Sequence, residues 1–416
     1  MMCRFKQITS LLVILVTISF SVKAQNPIVQ TLYTADPAPM VHNDTLFVFV
    51  GRDQEEAPKN AYLMREYRLY STTDMVNWTD HGAILKTSEI SWSGGDASAA
   101  QCIERKGKFY FYISTENKPI GGVSVGVMVA DNIYGPYKDV LSKPLITNQM
   151  TTFAKHGWDD LDPTVFIDDD GQTYLYWGNG VCYHVKLNED MVSIDSEITP
   201  LNAQNSSVFG PGFTEAPWVY KRKEMYYMVY ASGFPESIHY ATATKPEGPW
   251  SYQNVIMPLE KGSNTNHPGI VDYKGNSYFF YHNDARPGGH SYCRSVCVEE
   301  FAYNDNGTIP YMTMTTGITK AVATLDPYRR NEAETIAFSK GVKTEGNKTG
   351  GLYVTSIHHG DYIKVRNVDF GPQGAANFTA CTSSRYFGAA IELRLDSPEG
   401  TLIGTLRTSY TGEWDN

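Results

Sequence analysis

Five stretches of the chain share one plan, and this self-similarity limits the fold more than any other feature. "DPAPMVHNDTLFVFV" starts at Asp36, "AAQCIERKGKFYFY" at Ala99, "DPTVFIDDDGQTYLYW" at Asp162, "EAPWVYKRKEMYYMVY" at Glu215 and "HPGIVDYKGNSYFFY" at His267. The starts are 63, 63, 53 and 52 residues apart. Each stretch reads as a strand, a polar turn and an aromatic strand. The turns fall near Asn43-Asp44, Lys106-Gly107, Asp170-Gly171, Arg222-Lys223 and Lys274-Gly275. A second hairpin-like unit follows each one, such as "YRLYSTTDMVNWTDHGAI" or "IHYATATKPEGPWSYQNV". No long stretch of helical period interrupts them. Two hairpins per repeat, five times over, predict an all-β chain built as a five-bladed β-propeller with four strands per blade. A β-sandwich does not repeat at this period.

In a propeller the innermost strand of each blade lines the central axis. The equivalent positions are then Asp36, Ala99, Asp162, Glu215 and His267. Three carboxylates and a histidine converge on one funnel. Desolvating several acids is costly unless they are paired or hydrogen-bonded, so folding alone does not favour the set. A cluster of this kind points to chemistry. Glycoside hydrolysis needs a general acid at the leaving oxygen and a second carboxylate across the sugar. Glu215 lies among Phe213, Pro217 and Trp218, surroundings that favour a protonated acid, and it is the candidate general acid. Asp36 is the candidate general base. Asp162 is the candidate orienter, raising the pKa of Glu215 by like charge.

The remaining composition fits a carbohydrate substrate. The chain has 28 Tyr and 7 Trp, enough for a stacking surface, and Trp158 and Phe213 are candidate sugar contacts. A net charge of −10 disfavours nucleic acid. Arg4 and Lys6 precede the apolar run "LLVILVTISF", and Val22-Lys23-Ala24 follows as a small-residue cleavage pattern. Residues 1–24 therefore read as a signal peptide, with a secreted or periplasmic product and no membrane span after its removal. Beyond it, Cys102, Cys182, Cys293, Cys297 and Cys381 form no disulfide framework or zinc pattern. The chemistry calls for no cofactor, and a monomer is expected.

The segments "ADPAPMV", "LDPTVFIDDDGQTYLYWG" and "FTEAPWVYKRKEMYYMVYA" resemble glycoside hydrolase family 43, over roughly Asn26 to Val322. The resemblance implies a five-bladed propeller that inverts at the anomeric carbon. It also implies Asp36 as base, Asp162 as modulator and Glu215 as acid. "NTNHPGIV" resembles the family segment whose histidine lies on the axis, often near a calcium or sodium ion, which would make His267 a metal ligand. Arg294 in "YCRSVCVEEF" resembles a substrate-side arginine. Many members carry Trp-Ala-Pro in blade two, where this chain has Ala99-Ala100-Gln101. Asp96 is expected to fill part of that subsite wall.

After Val322 the blade pattern stops. Residues 323–330 read as a linker. From Asn331 the pieces "NEAET", "GDYIKVRNVDFG", "AANFTACTSS" and "IELRLDSPEGTLIGTL" resemble carbohydrate-binding module family 6, a jelly-roll β-sandwich. Residues 331–416 number 86, so the module is expected to be truncated. Glu332 and Glu334 resemble its structural calcium ligands, and Trp414 could serve as a stacking platform. The combined reading is an inverting exo-glycosidase. It releases α-L-arabinofuranose or β-D-xylose from plant cell-wall arabinoxylan or xylan. An endo-arabinanase and a non-catalytic glycan-binding propeller are the alternatives. The three axial acids argue against the latter. A retaining fructoside-type propeller would begin Asn-Asp-Pro, whereas this chain has Ala35-Asp36-Pro37.

Overall fold

The computed structural model describes residues 26–58, 61–153, 156–202, 205–258, 262–347 and 350–412. The signal-peptide segment and Trp414 lie outside the described residues. Blade one consists of β1 (Tyr33–His42), β2 (Thr45–Asp53), β3 (Met64–Thr72) and β4 (Trp78–Lys86). Blade two consists of β5 (Ser93–Arg105), β6 (Lys108–Asn117), β7 (Val123–Ala130) and β8 (Lys138–Asp139). Blade three holds β9 (Thr164–Ile167), β10 (Thr173–Trp177), β11 (Cys182–Leu187) and β12 (Thr199–Leu201). Blade four holds β13 (Glu215–Arg222), β14 (Met225–Ser232), β15 (Ser237–Ala243) and β16 (Ser251–Met257). Each is an antiparallel sheet whose strands pair in sequence order.

The fifth blade departs from the plan. Its sheet holds three strands, β17 (Gly269–Tyr273), β18 (Asn276–Asn283) and β19 (Ser295–Phe301). The stretch after Phe301 turns instead of pairing. Asn304 donates its N–H to the Thr308 carbonyl at 2.9 Å, with Gly307 at φ +83° between them. The free edge of β19 is met by the start of the described chain. Ile28 N–H donates to Val296 O at 2.9 Å and Thr34 N–H to Arg294 O at 3.0 Å. Asn26 Oδ1 accepts the Val298 N–H at 2.9 Å. The ring is thereby closed by its own first segment.

The aromatic second strands explain the packing. β10, β14 and β18 are buried along almost their whole length, on both faces. Period-2 alternation is lost because each blade is covered on both sides by its neighbours. Tyrosine and phenylalanine are bulky enough to fill the wedge between diverging sheets. The Phe49 and Phe111 rings meet across blades one and two at 5.2 Å, and Tyr67 packs edge-on against Phe111. Burying a side chain of this size stabilises by about 1.5–3 kcal/mol.

The C-terminal segment is attached rather than tethered. β20 (Thr335–Ile336) pairs with β4 as a fifth strand of blade one. Thr344 donates its hydroxyl to buried Asp80 at 2.7 Å. The stretch expected to be a linker is also engaged: Leu325 N–H donates to Asn367 O, and Asp369 N–H to Leu325 O, both at 3.0 Å. Beyond β20 the described strands form three separate two-stranded sheets: Phe338–Lys340 with Tyr362–Lys364, Lys343–Gly346 with Leu352–Thr355, and Ala390–Arg394 with Leu402–Arg407. No helix among the described residues is long and apolar enough to cross a membrane.

Candidate active site

The axial strands open with unusual backbone. Asp36, Asp162 and Ala216 have φ of +54°, +58° and +58°. Each stands before a proline: Pro37, Pro163 and Pro217. Left-handed backbone at a non-glycine residue costs about 1–3 kcal/mol and concentrates at functional sites. Aligned on these prolines, Glu215 sits one residue earlier than Asp36 and Asp162, so the equivalence expected from the sequence is off by one. One residue would turn a strand side chain to the other face. A register shift between Glu215 and Trp218, matching the one between Ala35 and Ala38, lets the strand absorb the difference.

Asp36 is held from blade five. Its Oδ1 accepts from Arg294 Nη1 at 3.0 Å. Its N–H donates to His282 Nδ1 at 3.2 Å, and His282 Nε2 lies 2.8 Å from the Thr265 carbonyl. The two contacts together fix His282 as the neutral, Nε2-protonated tautomer. Burial pushes the Asp36 carboxyl above its ordinary range, and the Arg294 guanidinium opposes that. Arg294 is itself gripped by Asp53, with Nε and Nη2 each 2.9 Å from a carboxylate oxygen and the backbone N–H at 2.8 Å.

Asp162 lies between the blades. Its Oδ2 accepts the Ala216 N–H at 3.2 Å, and the Ala99 N–H also reaches its carboxyl. Burial first, then the charges of Glu215 and Asp36, raise its pKa well above the ordinary value. His267 Nδ1 is 3.9 Å from the same Oδ2. Burial, with help from Arg294, lowers the pKa of His267 to about 3, so the ring is neutral. Glu215 is partly exposed, at the lip of the funnel. Its Oε2 accepts from Asn179 Nδ2, and its carboxyl meets that of Glu236. Burial raises its pKa; those two hydrogen bonds oppose the shift and the Asp36 charge adds to it.

Two buried carboxyls and the partly exposed Glu215 thus share one cleft: all three are raised, and Asp36 alone is paired with a cation. Residues 24–309 match the sequence model of glycosyl hydrolases family 43. The chain belongs to family 43 of the glycosyl hydrolases. Residues 332–416 match the family 6 carbohydrate-binding module. An arabinoxylan arabinofuranohydrolase of Paenibacillus polymyxa is 31% identical, over 93% of this chain and 67% of that one. One from Bacillus subtilis (strain 168) is 30% identical, over 95% of this chain and 86% of its own. A xylosidase/arabinosidase of Bacteroides ovatus is 29% identical over 67% of this chain and 94% of its own. The crystal structure of a Bacillus subtilis family 43 arabinoxylan arabinofuranohydrolase with cellotetraose superposes with a TM-score of 0.78 at 29% identity, over 93% of this chain and 88% of that one.

Within this family 43 hydrolase the other candidate residues divide. Trp158 is 55% exposed and stacks on His156 at 4.7 Å. Phe213 is not a sugar contact. It is 3% exposed and packs against Phe209 and Tyr230 in the core of blade four. Arg294 is 3% exposed, and its guanidinium holds Asp53, Asp36 and Thr265. Asp96 accepts from the Met64 backbone and feels the charges of Glu116 and Arg65, at the border of blades one and two. No contact joins it to the three axial acids.

The expected metal ligands stand at two places, His267 beside Asp162 and Glu332 near Glu334 in the C-terminal segment. Glu332 pairs with Arg330, Glu334 is buried beside Asp80, and His267 faces Asp162. Among the described residues no group of three His, Cys, Asp or Glu side chains could hold a metal ion. The residues missed from sequence are Asp53, Asn179, Glu236 and His282. Asp53 is the last residue of β2 and His282 the next-to-last of β18, polar residues just past the aromatic runs that mark the repeats, and that placement was the available signal.

Proposed function

We propose that this family 43 hydrolase is an exo-acting, inverting α-L-arabinofuranosidase on arabinoxylan. Glu215 acts as general acid, Asp36 as general base and Asp162 as the orienting carboxyl. The carrying observation is the asymmetry of the pair: Asp36 has a guanidinium at 3.0 Å, whereas Glu215 touches an amide and a carboxyl and feels that guanidinium only as the weakest of its influences. Asp36 is thus favoured as the anion and Glu215 as the acid. Water attacks the anomeric carbon and gives a proton to Asp36. The glycosidic carbon–oxygen bond breaks as Glu215 gives its proton to the leaving oxygen. Asp162 accepts the Ala216 N–H, fixing the strand that carries Glu215, and the neighbouring Glu215 charge in turn raises the Asp162 carboxyl.

Arabinofuranose is favoured over xylose by coverage. The two arabinoxylan arabinofuranohydrolases align with 93% and 95% of the chain, including its C-terminal segment, whereas the Bacteroides ovatus xylosidase/arabinosidase aligns with 67%. The C-terminal segment would then hold the polysaccharide near the funnel, and the enzyme would work outside the cytoplasm. Incubation with arabinoxylan, arabinan, xylobiose and the nitrophenyl glycosides of both pentoses tests the reading. Arabinose from arabinoxylan is expected. Xylose alone, from xylobiose, would make it a β-xylosidase. Arabino-oligosaccharides from arabinan would make it an endo-arabinanase.

A further inference from the structure

A fourth carboxyl enters the site from the turn between β14 and β15. Glu236 is 3% exposed. Its backbone N–H donates to Asn264 O at 3.0 Å, and its Oε2 accepts the Asn266 N–H at 2.6 Å. Those bonds tie it to the loop that leads into His267. Its Oε1 is buried with no hydrogen-bond donor, and its side chain meets the Glu215 carboxyl. Two carboxylates in contact, with an orphaned oxygen and no donor between them, are not satisfied as two anions. One proton between them satisfies both.

We propose that Glu236 is a positioning residue that shares one proton with Glu215 and so holds the general acid in its protonated state toward neutral pH. The proposal rests on the reading of Glu215 as the acid. The other groups facing the pair are Asp162 from blade three and Asp36 from blade one, both acidic. Arg294 from blade five is the cation, and it is engaged by Asp36 and Asp53. His267 and His282 are neutral. The pair therefore titrates as a unit, and its second proton leaves only when two adjacent buried anions form. Burial first and then the Glu215 charge push Glu236 upward, while their contact draws Glu215 the other way, as expected where one proton lies between two carboxyls.

The test compares Glu236→Gln, Glu236→Asp and Glu215→Gln on arabinoxylan, as kcat/KM against pH. Gln keeps the shape and can still accept the Asn266 N–H, but carries no charge. It should move the alkaline limb down by about one pH unit or more, a loss of roughly tenfold at the wild-type limb, with the acid-side rate little changed. Asp retains a second carboxyl and should keep part of the shift. A limb that coincides with wild type in Glu236→Gln would overturn the shared proton. So would an equal fall for Gln and Asp, which would show packing alone. Should the variants fail to fold, infrared spectra of the wild type provide a second measurement. A protonated-carboxyl band should persist at near-neutral pH and be lost in Glu215→Gln; its absence would overturn the proposal. Full activity of Glu215→Gln on arabinoxylan would instead remove Glu215 as the acid. If Glu215→Gln is dead while Glu236→Gln keeps the wild-type limb, only the shared proton fails.

Discussion

Removing Arg294 should disable the base without touching the substrate. The guanidinium lies 3.0 Å from Asp36 and is grasped by Asp53 on its other edge. An opposite charge this close holds a carboxyl down by about 1–3 pKa units. Burial already pushes Asp36 the other way, so losing the cation leaves desolvation unopposed. The acidic limb of kcat/KM should rise by about 2 pH units. On the acid side of the wild-type limb the rate should fall by roughly 10²-fold, and it should recover as pH increases, until Glu215 loses its proton. Breaking a buried ion pair by deleting one partner costs about 3–5 kcal/mol. The variant to measure is therefore Arg294→Gln combined with Asp53→Asn, which also removes the Asp53 charge that the loss of Arg294 would orphan, while leaving Asp36. The assay is the pH–rate profile on a nitrophenyl arabinofuranoside, with melting temperature followed at each pH. An acidic limb that stays in place while KM rises would refute the reasoning. It would mean that Arg294 grips the sugar, as the sequence led one to expect.

Three further outcomes follow from the same geometry. Glu215→Ala should lose about 10²–10⁴-fold on arabinoxylan and much less on a nitrophenyl glycoside, whose leaving group needs no proton; Asp36→Ala should lose comparable rate on both, as steady-state kinetics on the two substrates would reveal. Deleting residues 331–416 should leave hydrolysis of aryl glycosides intact but lower the melting temperature by several degrees. The cut strips β20 from β4 and removes buried Ile336, whose burial is worth about 1.5–3 kcal/mol alone. Phe213→Ala should destabilise by about 3–5 kcal/mol in denaturant unfolding, as a core aromatic does, while KM for the pentoside stays near wild type.

Much of this was legible from the repeats. The Asp-Pro and Glu-Ala-Pro strand starts and the aromatic second strands carry the blade plan in the sequence itself, and they led to Asp36, Asp162 and Glu215. What the sequence hid was mostly non-local. The closure of blade five by Asn26–Thr34 joins residues more than 250 apart, such as Thr34 and Val296. No local propensity encodes such a pairing. Arg294 looked like a free arginine because its partner Asp53 is 241 residues away. Phe213 looked like a sugar contact because proximity to Glu215 in sequence does not say which way a ring turns. Glu236 sits in the loop between second and third strands, whose length differs from blade to blade, so the period gave it no weight.

The stereochemistry of the first-formed sugar tests the central claim most directly. If Asp36 activates water while Glu215 protonates the leaving oxygen, the released pentose must first appear with inverted anomeric configuration. Proton NMR during the first minutes of hydrolysis, before mutarotation, resolves the two anomers. The inverted anomer should accumulate first and then decay toward equilibrium. A retained anomer at the earliest time points would contradict the account, because it requires a covalent glycosyl–enzyme intermediate and a nucleophile where Asp36 is held as a base.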